Sequence, residues 1–137
     1  MKLFLAFYLF FTGMIVCFLF QDKTRQQSIQ DGSEIYQDFC VQCHLDNGKG
    51  VSGVFPPLKN SDYLMNDLDR SIAGIKFGLQ GAIEVNDEIY DGIMNKQGLD
   101  DEEIADVMNY ILNQWGNQYK GLITQSWVQK IDKSSLN

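Results

Sequence analysis

The chain has 137 residues and a formal net charge of −7, and the negative charge is concentrated after its first fifth. From Ser28 onward there are 17 acidic against 8 basic side chains, an excess of nine. That balance excludes nucleic acid as a partner and favours basic protein patches. The length suits one domain with appendages, whose core would be filled more easily with the help of a cofactor.

Leu3–Phe20 is an uncharged apolar run preceded by Lys2. As a helix it would extend about 27 Å, close to the ~30 Å hydrocarbon thickness of a bilayer. Its exit lacks the small residues of a signal cleavage site, so the reading is an uncleaved membrane anchor over residues 1–20, with a removed signal as the alternative. Cys17 follows Val16, where a lipid-modified cysteine would follow a small residue. Residues 21–27 are polar and read as a tether. Ser28, with Asp31 three residues on, reads as the cap of a helix that carries Gly32, Ile35, Tyr36 and Phe39 into the next motif.

That motif is Cys40, Val41, Gln42, Cys43, His44. Residues i, i+3 and i+4 share one helix face, so both sulfurs and the imidazole point the same way. Cys-x-x-Cys-His is the spacing of covalent haem attachment: two thioethers to the ring and a proximal histidine to the iron. A zinc site lacks ligands, because the remaining cysteine is Cys17 and His44 is the sole histidine. A redox dithiol would follow a β-strand, and no β-branched run precedes Cys40.

Beyond His44 the residues from Asn47 to Pro57 are rich in Gly and Pro and read as a loop that wraps one edge of a flat cofactor. Asn60–Leu64 reads as a short helix, and Asp67 or Asp69 caps another bearing Ile72, Ile75 and Leu79 and ending near Gly78 or Gly81. Ile83–Tyr90 carries a weak hairpin signal around Asn86 and Asp87, followed by a loop over Asp91–Asn95. Asp100 and Glu103 open the strongest helix, with Ile104, Val107, Met108, Ile111, Leu112 and Trp115 on one side and Gly116 as its stop. A tail over 118–137 holds a short helix from Thr124 to about Lys133.

A single histidine leaves methionine, a weaker ligand or nothing for the iron's other axial position. Met65 and Met108 lie in helices, where packing explains them. Met94, in the loop, is the candidate distal ligand.

Together these residues resemble a class I c-type cytochrome of the small bacterial monohaem kind. The likeness rests on Gly32 and Tyr36 ahead of Cys40, on the attachment motif, and on Gly50 with Val54 to Leu58. It continues through Asn60 to Leu64, Tyr90 to Met94, Leu99 to Ala105, Asn109 to Ile111, Trp115 to Asn117, and Ile123 with Thr124. It implies an all-α fold over residues 28–117, helices wrapped around one covalently attached haem c, with the first and last main helices crossing where Gly32 and Tyr36 meet Tyr110. It also implies that the Pro56 carbonyl accepts the Nδ1 proton of His44, and that Met94 is the distal ligand, although Asn95 stands where such domains usually have proline. The implied function is one-electron transfer between redox proteins at the outer, periplasmic face of a bacterial membrane. The domain would be a tethered shuttle or, alternatively, a fixed haem subunit of a dehydrogenase, oxidase or reductase; it would be a carrier and not an enzyme.

Overall fold

The computed structural model describes residues 2–19 and 23–136. Helix α1 is Lys2–Leu19, and its side chains Phe4, Phe7 to Phe11, Met14 and Ile15 are exposed. Among the described residues no helix is long and apolar enough to cross a membrane, so the spanning anchor expected of residues 1–20 is not supported in that form. The helix is 18 residues including charged Lys2, about 27 Å at 1.5 Å per residue, and Phe20 lies outside the described residues.

The tether expected over residues 21–27 is corrected from Lys23 onward, and residues 21 and 22 lie outside the described residues. Helix α2 is Arg25–Phe39, four residues longer at its start than the Ser28 cap implies, and Thr24 and Gln27 form a reciprocal capping box at its N-terminus. Lys23 pairs with Asp31 at 2.6 Å and with Asp106 and Glu102. Arg25 donates to the carbonyls of Tyr119 at 2.7 Å and Gly121 at 3.3 Å. Ser28 is not a cap but a buried residue inside the helix, donating to Asp106 at 2.6 Å. Polar composition alone reads as linker, but Lys23, Arg25 and Ser28 each have a partner far along the chain.

After α2 come α3 (Val41–His44), α4 (Asp62–Asn66, capped by Ser61) and α5 (Leu68–Phe77, capped by Asp67). Gly78 ends α5 with φ +84, so Leu79 leaves the helical stripe expected of it and starts a strand. Strands β1 (Leu79–Val85) and β2 (Glu88–Met94) pair antiparallel, with Leu79 opposite Met94 and Ile83 opposite Tyr90. Asn86 and Asp87, both at positive φ, make the two-residue turn that matches strand twist. The fold is therefore mostly helical but not all-α. The hairpin is longer than its sequence signal because Gly81 and Gly92 interrupt the alternation in both strands.

Helix α6 (Asp101–Ile111) opens on the expected Asp100–Glu103 capping box. It ends before Trp115, which lies beyond it at φ +54 with Gly116 at +100. Helix α7 (Gln125–Lys130) is capped by Thr124, and a 3-10 turn over Lys133–Leu136 follows. The core is α6's buried face, with Ile104, Val107, Met108, Ile111 and Leu112, packed against Tyr36, Ile72, Ile123 and Val128.

The α2–α6 crossing is close because Gly32 has no side chain. A Cβ there would lie 2.0 Å from the Asp106 carbonyl oxygen and 2.9 Å from Tyr110 Cβ. Asn109 completes the seam, donating to Ser28 Oγ and the Ile123 carbonyl, both at 2.8 Å, and accepting from Ile123 N–H at 2.9 Å.

Candidate haem site

At Cys40 the chain leaves α2 at φ −114 and starts the single turn of α3. Cys43 N–H and His44 N–H both donate to the Cys40 carbonyl, at 3.2 and 3.0 Å, so the motif keeps one helical turn; Cys40 and His44 line the cleft described below, and Cys43 does not. Neither Cys40 nor Cys43 is in a disulfide. Burial, with Cys43 beside it, pushes the Cys40 thiol up to about 11.

The loop after His44 is held in place by long-range contacts. Tyr36 Oη donates to the Leu45 carbonyl at 2.8 Å, and Trp115 Nε1 donates to the Asp46 carbonyl at 2.9 Å. The rings of Tyr36, Tyr110 and Trp115 pack together with centroids 5.2 to 5.9 Å apart. Gly48 admits the Trp115 ring, which a Cβ would meet at 2.4 Å. Gly50, at φ +61, lets the backbone fold over the carbonyls of Phe55 and Pro56, which a Cβ would meet at 2.2 and 2.6 Å.

That fold delivers the Pro56 carbonyl to His44 Nδ1 at 3.0 Å. With Nδ1 donating, Nε2 is the ring nitrogen left to bind a metal, and the bond fixes the tautomer and the ring plane. Burial holds the imidazole below its ordinary pKa, opposed by the Pro56 bond.

His44 and Cys40 wall a cleft of about 690 Å³, solvent-connected space included. Its other walls come from Pro56, Leu58, Leu64, Ile75, Leu79, Ile83, Val85 and Met108. Met94 is among them, contributed by the end of β2 and not by a free loop as its surroundings in sequence suggest. Met65 does not line the cleft; Met108 does, but it is completely buried in the α6 core. Gly81 and Gly92, paired across the hairpin, share the parity of Leu79, Ile83 and Met94 but are exposed and do not line the cleft. A Cβ at either glycine would meet nothing within 4 Å.

The site therefore fits a large flat apolar cofactor: largely apolar walls, and a histidine and a methionine contributed by separate elements. The pattern missed the hairpin's share of the wall, since two glycines in a strand carry no hydrophobic signal.

Such a slot, entered by Cys-x-x-Cys-His, defines a c-type haem protein. The sequence profile described as Cytochrome c matches residues 29–115, more than half of the chain, and the chain belongs to the cytochrome c family. It is 42% identical over 95 residues to each of two cytochrome c-552 sequences of Thermus thermophilus. Each alignment covers 66% of this chain, and they cover 72% and 64% of those proteins. It is also 33% identical over 104 residues to the cytochrome c subunit of the quinone-dependent alcohol dehydrogenase of Gluconobacter oxydans, covering 73% of this chain and 21% of that subunit. The cofactor is a covalently attached c-type haem, and the protein is an electron carrier, not itself a catalyst.

Proposed function

We propose that Cys40 and Cys43 hold the haem through two thioethers, that His44 Nε2 and Met94 Sδ take the two axial positions, and that the Pro56 carbonyl orients His44. The observation that carries this reading is the convergence of Cys40, His44 and Met94 on one apolar cleft, with His44 Nδ1 already committed to Pro56. The haem supplies a one-electron couple. The protein's part is to fill both axial positions so that no substrate can bind the metal, to exclude water with the Leu58, Ile75 and Ile83 walls, and to hold the ligands rigid. A thioether ligand and a dry site both favour the ferrous state, which sets a potential on the high side for haem proteins.

The electron passes between protein partners at the outer face of a bacterial membrane, and the exposed phenylalanines of α1 support attachment to that membrane. Of the two modes, swinging shuttle and fixed haem subunit, the docked Lys23 to Gln27 segment supports the fixed one. Only three residues separate Leu19 from Lys23, a reach of about 14 Å across four peptide steps. The 33% identity to a dehydrogenase's cytochrome c subunit is in keeping with it.

Two measurements test the proposal. The reduced protein should be low-spin and bind carbon monoxide slowly or not at all; fast binding would mean an open axial position. Mild detergent extraction should yield a stoichiometric redox partner, whereas a protein that purifies alone with salt-sensitive electron exchange would be the shuttle.

A further inference from the structure

Beside the apolar cleft lies a second one of opposite character. The two share Tyr63, Leu79, Ile83 and Met94 as walls, and the second adds Gln80, Lys96, Lys133 and Ser134. In a domain with nine excess negative charges, no Asp or Glu among the described residues lines either cleft. Among the described residues Lys96 and Lys133 enter no ion pair, while Lys23 and Lys76 are both paired. Asp132, the acidic neighbour of Lys133, is engaged elsewhere, accepting from the Ser134 backbone N–H at 2.7 Å. Two uncommitted cations therefore line a polar pocket that shares four walls with the haem slot.

A c-type haem is itself two-sided. Its ring is apolar, one edge is bonded to the cysteine sulfurs, and the opposite edge carries two propionate carboxylates. Cys40 walls the apolar cleft and not the polar one, so a haem bonded there has its carboxylate edge directed away from Cys40. We propose that the polar cleft receives the haem propionates, with Lys133 and Lys96 as their cationic partners. This makes the C-terminal turn, which lies outside the family's matched residues 29–115, part of the cofactor site. The inference rests on the assignment of Cys40 and Met94 given above.

A lysine ammonium beside a propionate offsets its negative charge near the iron, which favours the reduced state and raises the midpoint potential. The test uses the holo-protein with Lys133→Gln, Lys133→Arg, Lys96→Gln and, as a control at a residue that lines neither cleft, Lys120→Gln. Lys133→Gln should lower the midpoint potential and shift the propionate carboxylate bands in the oxidised-minus-reduced infrared difference spectrum. Lys133→Arg should restore both, and Lys96→Gln should lower the potential independently. The proposal is overturned if Lys133→Gln and Lys96→Gln match Lys120→Gln in potential and carboxylate bands. The methionine-to-iron absorption band separates the two claims. Its absence from the unmodified protein would sink Met94 ligation, whereas its presence with unshifted carboxylate bands in the variants would sink only the lysine assignment.

Discussion

Replacing Gly32 by alanine puts a single methyl group where α2 and α6 touch. That Cβ would stand 2.0 Å from the Asp106 carbonyl oxygen, so the helices must separate by roughly 1.4 Å to reach ordinary contact at 3.4 Å. Overpacking of this kind costs about 1–3 kcal/mol. The same displacement pulls Ser28, one turn before Gly32, from the Asp106 carboxylate that it now meets at 2.6 Å, and a buried hydrogen bond to a charged group is worth about 1.5–3 kcal/mol. Alanine recovers about 1 kcal/mol of helix propensity over glycine. The expected net loss is about 1.5–5 kcal/mol, or, at about 4 °C per kcal/mol, a fall in Tm of roughly 6–20 °C for a domain of this size. Thermal unfolding of the holo-protein, followed by near-ultraviolet circular dichroism and the haem absorption, measures it. A Gly32→Ala protein melting within about 2 °C of the parent would refute the claim that the crossing depends on a bare backbone.

Met94→Ala should keep the covalent haem, lose the methionine-to-iron band and lower the potential; if the band survives, Met108 becomes the candidate, since it also walls the cleft. Replacing His44 should leave no stable holo-protein, read by haem stain after denaturing electrophoresis. Lys23→Met removes the cation from a nearly buried Asp106 and should cost about 1–3 kcal/mol in denaturant unfolding. Burial pulls the Lys23 pKa down, but hydrogen bonds to Asp106 and Asp31 outweigh it and hold the pKa well above its ordinary 10.5. The stability it contributes is therefore complete below pH 10.5 and disappears only as pH rises through the folded value, so the gap between parent and Lys23→Met should be flat from pH 6 to 9 and narrow above about 10.5. Tyr36→Phe, which strips the donor from the Leu45 carbonyl beside His44, should cost about 1 kcal/mol and broaden the haem absorption by loosening the loop.

The motif from Cys40 to His44 pointed to the cofactor by itself, because two thiols and an imidazole at that spacing along a single turn match thioether attachment to a porphyrin and coordination of its iron. Helix α6 was equally legible: a capping box at Asp100 and Glu103 and an unbroken apolar face are local signals. What the tertiary structure decided was every feature whose partner lies far along the chain. Lys23 and Arg25 look like linker until Asp106, Asn113 and the Tyr119 carbonyl are brought to them. Leu79 fits a helical stripe until Gly78 turns it into a strand, and Met94 reads as loop until Leu79 pairs with it. Sequence periodicity reports which face of an element is buried; it carries no record of which distant group satisfies a charge or closes a cavity, and that follows only once the helices have crossed at Gly32.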